Sequence, residues 1–232
     1  MSERKHGEPL MDENAAALRR LLEQVATEMR ETGERTGCPA LSERVWEALT
    51  TVPRHLFTPA AQQPWAYANR PLPIGCGQTI SQPFIVALMT ELLALTAQSR
   101  VLEIGAGSGY QTAVLARLAQ QVYSVERIPE LAAAAAQRLH ALGYANVVIR
   151  TGDGGQGWLE HAPFDAVIVT AAAMEIPAVL LRQLKPGGRL VAPVGMPHRT
   201  QDLRLLHKDA QGVVHERSVL PVVFVPLVSD RT

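Results

Sequence analysis

The 232-residue chain is poor in the groups that usually announce a chemistry. It has two cysteines, Cys38 and Cys76, in unrelated contexts. Neither a disulfide framework nor a thiolate metal site is expected from them, and reduced thiols of a cytosolic protein are. The seven histidines fall in no ligand spacing, so no metal is expected. There is no excess of one charge, since Lys+Arg and Asp+Glu both number 22. That balance argues against a broadly basic nucleic-acid surface. No apolar run is long enough to span a bilayer. The first residues, Met1 to Glu8, are polar and lack the apolar centre of a signal peptide. A soluble cytoplasmic protein is expected. A Gly-x-Ser-x-Gly elbow and a Gly-Lys-Ser/Thr phosphate grip are both missing, against hydrolases and nucleoside triphosphatases. There is no internal repeat and no low-complexity segment.

What is present is apolar material for one full domain, 47% of the chain. Leu18, Leu21, Leu22, Val25 and Met29 recur at steps of three and four, which predicts a helix over 12–32. A second helix is expected from Ser42, through Val45, Trp46 and Leu49, to Pro53. Residues 53–83 are rich in proline and show no sustained period, so a long ordered loop, functional in character, is expected. Pro83 suits the first turn of a third helix.

From residue 100 the pattern becomes an alternation. Strands are predicted at 100–104, 121–125, 146–150, 164–170 and 188–194, and helices at 109–119, 129–142 and 176–184. Such alternation implies parallel pairing with right-handed crossovers. Two or three further strands after residue 200, near 202–207, 213–219 and 221–227, without helices between them, predict an antiparallel C-terminal edge. The fold class is therefore α/β, Rossmann-like, mostly parallel, with helices on both faces.

The most informative stretch is Val101-Leu102-Glu103-Ile104-Gly105-Ala106-Gly107-Ser108-Gly109. It reads as a buried strand running into a glycine-rich turn and then a helix, where a nucleotide-like ligand can lie on bare backbone at a helix N-terminus. The G-x-G-x-G spacing is not that of dinucleotide binders. It looks like the S-adenosylmethionine loop of class I methyltransferases. The second strand of the alternation ends at Glu126, about twenty residues past Gly105, where a carboxylate can accept both hydroxyls of a ribose. The third ends in Gly152-Asp153-Gly154, suited to an adenine amine and ring nitrogen. The fourth leads from Thr170 into Ala171-Ala172-Ala173, small residues that leave room above the sheet. The glycine loop alone fits a methyltransferase for another carboxylate, a small molecule or a nucleic acid equally well. A cofactor-binding scaffold without activity also fits it.

Residues 72–83, Leu-Pro-Ile-Gly-Cys-Gly-Gln-Thr-Ile-Ser-Gln-Pro, are specific. They resemble the protein-L-isoaspartate O-methyltransferase family. The likeness continues through Val52 to Phe57, Arg100 to Tyr110, Ser124 to Arg127, Gly152 to Gly154, Pro163 to Ala172, Gln183 to Gly188, Pro193 to Gly195 and Phe224 to Leu227, roughly residues 41–228 in all. The resemblance implies methyl transfer from S-adenosyl-L-methionine, leaving S-adenosyl-L-homocysteine, to the free α-carboxylate of L-isoaspartyl residues in damaged proteins and peptides. Repair then proceeds through a succinimide. It implies Ser81 as the catalytic residue, and a cofactor site of Gln78, Thr79, Ile80, Ser81, Glu103, Gly105, Gly107, Gly109, Glu126, Arg127, Asp153 and Gly154. Thr79, Ile80, Ser81, Val225, Pro226 and Leu227 are implied for the substrate, and no metal. Residues 1–40 are expected to be a helical extension. Residues 41–232 are expected to form one domain, with 41–99 on the substrate side and 100–232 as the cofactor core. Cys76 is expected to alter the groove lining. A monomer with no nucleic-acid or membrane partner is expected.

Overall fold

The structure is a computed structural model and describes residues 8–227. The expectations for residues 1–7 and 228–232 lie outside the described residues. Seven strands form the central sheet: β3 (Arg100–Ile104), β4 (Gln121–Glu126), β5 (Val147–Thr151), β6 (Phe164–Val169), β7 (Leu184–Val194), β8 (Gln201–Lys208) and β9 (Val214–Val222). Their spatial order is β5-β4-β3-β6-β7-β8-β9. The pairs from β5 across to β7 are parallel; β7/β8 and β8/β9 are antiparallel. The last three strands follow one another outward, which gives the expected antiparallel C-terminal edge. A third strand at 221–227 does not form separately. β9 runs to Val222, and among the described residues beyond it only Pro226 makes an isolated bridge, to Ala172.

The two-residue period of the strands sorts side chains between two cores. Val101, Val122, Ala166, Ile168, Val191 and Leu203 point to one face. Leu102, Ile104, Val125, Val167, Val169 and Leu190 point to the other. The first face is covered by α3 (Pro83–Leu92), α4 (Tyr110–Leu118) and α5 (Pro129–Ala141), and the second by the short α6 (Ala178–Arg182) with Trp158. Nine of the ten residues of α3 are buried. Each fully buried aliphatic side chain contributes about 1.5–3 kcal/mol against exposure, so this face dominates the stability. Helix α6 is shorter than the 176–184 expected, because β7 begins early: Leu184 pairs with Phe164 before the register shifts at the Pro186-Gly187-Gly188 run.

The N-terminal helix α1 (Glu8–Thr36) is longer than its apolar period indicated. Leu21, Leu22, Val25 and Met29 belong to the same hydrophobic cluster as α3 and the sheet. Arg217 of β9 donates to the Thr36 carbonyl, 2.7 Å away, tying the end of α1 to the edge strand. The expected boundary at residue 40 is therefore no break in the packing. Helix α2 (Glu43–Thr51) starts as expected, with the Ser42 hydroxyl capping the Val45 N–H.

The 53–83 segment is where the expectation was least detailed. Two 3₁₀ turns (Arg54–Phe57 and Ala60–Trp65) lead into a hairpin of β1 (Leu72–Gly75) and β2 (Gln78–Ile80). Leu72 and Ile80 face each other across it and are both buried. The connecting residues Gly75, Cys76 and Gly77 all have positive φ (95°, 52° and 69°). Cys76 is thus exposed at the hairpin tip.

Candidate active site

The chain runs from β3 outward to β4 and β5, then returns to β6 on the other side of β3. Ligands on open α/β sheets bind beyond the carboxyl ends of the strands at such a reversal. The glycine loop lies there. Gly105, Gly107 and Gly109 have φ of 97°, 53° and 85°. A side chain at Gly105 would collide with the Thr170 hydroxyl, its Cβ only 2.5 Å away, and one at Gly107 would reach Ile74 of the hairpin at 3.4 Å. The hairpin therefore closes over the loop. Gly109 opens α4 and packs on Ala135 and Leu139 of α5, away from the cavity.

Glu126, at the end of β4, is pinned from two sides. Its Oε2 accepts the Gly107 N–H (2.8 Å) and its Oε1 the Ile128 N–H (2.9 Å). Each oxygen keeps a second lone pair for a ligand hydroxyl. Glu103 is different. It was expected at the cofactor, but it is completely buried beneath the loop, where Thr112 and Ser124 donate their hydroxyls to its Oε2 at 2.5 and 2.6 Å. Its Oε1 has no partner among the described residues. Burial pushes its pKa up to about 7, with the two hydroxyls opposing and the Glu126 charge adding to the rise. Alternation decides this position: Glu103 pairs in register with Ser124, and both point under the loop.

Two cavities meet at this end of the sheet. The first is lined by Gly105, Gly107, Glu126, Arg127 and Gly154, by Gln78 to Ser81 of the hairpin, and by Val225 to Leu227. The second, of about 390 Å³, lies between the hairpin end, α1, α3 and the end of β9. Thr79, Ser81, Thr170 and Val225 line both. Of the residues expected at the substrate, Ile80, Pro226 and Leu227 face only the glycine-loop cavity. Asp153 lines neither: its Oδ1 accepts the Gly155 N–H at 2.9 Å and caps a 3₁₀ turn. Cys76 also lines neither, so the expected effect on the groove is not seen; the positive-φ turn carries its side chain out to solvent.

Ser81 does not cap α3; Gln82 occupies that position without a side-chain bond. Instead the corner is fixed from behind. Arg54, wholly buried, donates from Nη2 to the Ser81 carbonyl (2.8 Å) and from Nε to the Ala66 carbonyl (2.9 Å), with its guanidinium 4.8 Å above the Tyr110 ring. Burial lowers its pKa to about 10, so it stays charged at neutral pH. Sequence reasoning gave Arg54 no role, and nothing in Val52-Pro53-Arg54-His55 marks an arginine as buried. Thr170 was missed as well. Its hydroxyl donates toward the Ile104 and Gly105 carbonyls (3.0 and 2.7 Å), and its place at a strand end beside the switch point was the available signal.

A Rossmann-like sheet with this glycine loop, a strand-end glutamate bonded to the loop, and a cavity over both defines a class I S-adenosylmethionine-dependent methyltransferase. The family model described as protein-L-isoaspartate(D-aspartate) O-methyltransferase matches residues 27–232, and the chain belongs to that family. A protein-L-isoaspartate O-methyltransferase 2 of Syntrophobacter fumaroxidans is 56% identical over 93% of this chain and 87% of its own length. A Synechococcus protein-L-isoaspartate O-methyltransferase is 59% identical over 80% of this chain and 78% of its own. Among solved structures, a protein-L-isoaspartate O-methyltransferase superposes with a TM-score of 0.78 at 29% identity, over 90% of this chain and 66% of that one. A Plasmodium falciparum beta-aspartate methyltransferase, solved with S-adenosyl-L-homocysteine, gives a TM-score of 0.71 at 25% identity, over 87% of this chain and 97% of that one.

Proposed function

We propose that this chain methylates the free α-carboxylate of L-isoaspartyl residues in proteins and peptides, with Ser81 as the catalytic hydroxyl. The observation that carries the proposal is the position of Ser81 on the wall common to both cavities, between the glycine loop and the larger groove. S-adenosyl-L-methionine, when bound, supplies a sulfonium methyl group. The residues that fit it are the bare backbone at Gly105 and Gly107, the free lone pairs of Glu126 for the ribose, and Arg127, Gly154 and Gln78 along the cavity wall. Asp153 shapes the adenine end through the Gly154 turn. That turn requires glycine, because a Cβ at 154 would stand 2.3 Å from Ile104.

The α-carboxyl group of an isoaspartyl residue has a reference pKa of about 3.3–3.7 and is ionised at neutral pH. No base is needed to create the nucleophile. The nearby histidine fits that economy: His55 is bonded to the Tyr67 hydroxyl (2.7 Å) and not to Ser81. The task of this chain is to hold the carboxylate oxygen in line and keep water away. The Ser81 hydroxyl donates a hydrogen bond without neutralising the anion, and Thr79 supports it from the same wall. Positioning of this kind supplies about 7–11 kcal/mol in favourable systems. Exclusion of water also helps, since charge disappears along the reaction path.

The groove between 41–99 and the end of β9 is taken as the substrate side, and the 100–232 core as the cofactor side. We also take the enzyme as a cytoplasmic monomer without a nucleic-acid partner, the last of these supported by the balanced charge. Among the described residues no helix is long and apolar enough to cross a membrane. The test compares paired peptides carrying L-isoaspartate or L-aspartate at one site, with a labelled methyl donor. Selective, base-labile labelling of the first is expected; equal labelling of both, or of neither, overturns the proposal.

A further inference from the structure

The second cavity has one uneven point. Its lining is apolar or neutral except for Glu28 of α1, the only ionisable residue among the described residues that line it. Asn69 donates to the Glu28 Oε2 at 2.8 Å and Gln82 donates to the same oxygen at 3.4 Å. Gln82 directly follows Ser81, and the Asn69 side-chain oxygen accepts the Phe84 N–H at the start of α3 (3.0 Å). The Glu28 carboxylate is thus tethered within a residue of the Ser81 corner.

Both donors are neutral, and among the described residues no lysine, arginine or histidine forms an ion pair with Glu28. A glutamine would accept the same two bonds, so the negative charge is surplus to the structural role. A partly exposed carboxylate without a counterion is free to pair with a cation that arrives on a ligand. We propose that Glu28 is a specificity-determining residue that receives the lysine or arginine side chain of a substrate lying close in sequence to the isoaspartyl residue. The inference rests on the groove being the substrate side, as proposed above. It also gives α1 a functional part: the helix brings a charge to the groove as well as apolar side chains to the core.

The test uses isoaspartyl peptides that differ at one position, one, two or three residues to either side of the isoaspartate. That position carries lysine, norleucine or glutamate. At one or more positions KM is expected to rise in that order, by about fivefold from lysine to norleucine, the range of a partly exposed ion pair. Turnover at saturation is expected to be unchanged, since the contact is the same before and during methyl transfer. The ranking is expected to shrink at raised ionic strength and to vanish in Glu28→Gln, with the norleucine peptide unaffected. A lysine preference that survives in Glu28→Gln, or no charge preference at any position, overturns the inference. Should Glu28→Gln fold poorly, the ranking and its salt dependence in the unaltered enzyme decide. Failure of the unaltered enzyme to methylate even the norleucine peptide instead removes the proposed function itself.

Discussion

The glycine loop and the Thr79-Ile80-Ser81 corner face the same space, yet they are held in place by different means. The loop springs from β3, the middle of the five parallel strands. Glu126 of the next strand accepts the loop's Gly107 N–H, and Glu103, just ahead of the loop, ties β3 to Thr112 and Ser124. The corner hangs from a hairpin of four and three residues and is fixed at its end by the Nη2 of one buried arginine. A site built on a sheet ladder shares its load among many bonds. The corner depends on few, so single substitutions there are expected to do more damage.

The largest effect is expected from Arg54→Met, which leaves the buried Ala66 carbonyl and the part-buried Ser81 carbonyl without their charged donor. A loss of about 3 kcal/mol of stability is expected, read by chemical denaturation, together with loss of methylation. A stable, active Arg54→Met protein would break the contrast. Next, Ser81→Ala is expected to lower turnover by about a hundredfold, or roughly 2.7 kcal/mol, with donor affinity changed little, as a titration would show. Unchanged turnover removes Ser81 from the chemistry. On the loop side, Glu126→Gln is expected to weaken donor binding by about tenfold, the scale of one hydrogen bond to a charged group, without unfolding the chain. Equal damage to stability would mean that the loop is no better supported than the corner.

Glu103 sharpens the comparison through pH. Its folded pKa, about 7, lies above the ordinary value of 4.5, so between these two the folded state binds more protons than the unfolded one. The stability this group contributes is present below about pH 4.5 and is lost as pH rises through 7, by at most about 1.4 kcal/mol per pH unit. Melting curves at pH 5 and 8 are expected to differ less in Glu103→Gln than in the parent. The smallest effect is expected at the hairpin tip, where Cys76→Ser is exposed and should shift stability by less than about 0.5 kcal/mol.

Much of this was legible beforehand. The strands from β3 to β6 fell within a residue of their expected limits, because short runs of Val, Leu and Ile separated by helix-length segments mark each strand. Glu126, Gly105 and Gly107 could be placed by spacing alone, since a strand-loop-helix unit fixes their relative positions. The hairpin could not. Its strands are too short to show a period, and Pro73 argues against a strand. Glu103 was misplaced for a related reason: its distance from the loop was readable, but whether it faced the cavity or the packing beneath depended on the register with β4.

By itself the sequence determined the order of elements, the glycine turn and the residue types available at each strand end, because these follow from local periods and local backbone freedom. Only the tertiary structure decided that Arg54 sits behind Ser81, that Glu28 of the first helix reaches the groove, and that Glu103 stays out of it. Those outcomes depend on contacts between separate elements, nine to fifty-four residues apart, where burial and pairing choose among side chains that look alike along the chain.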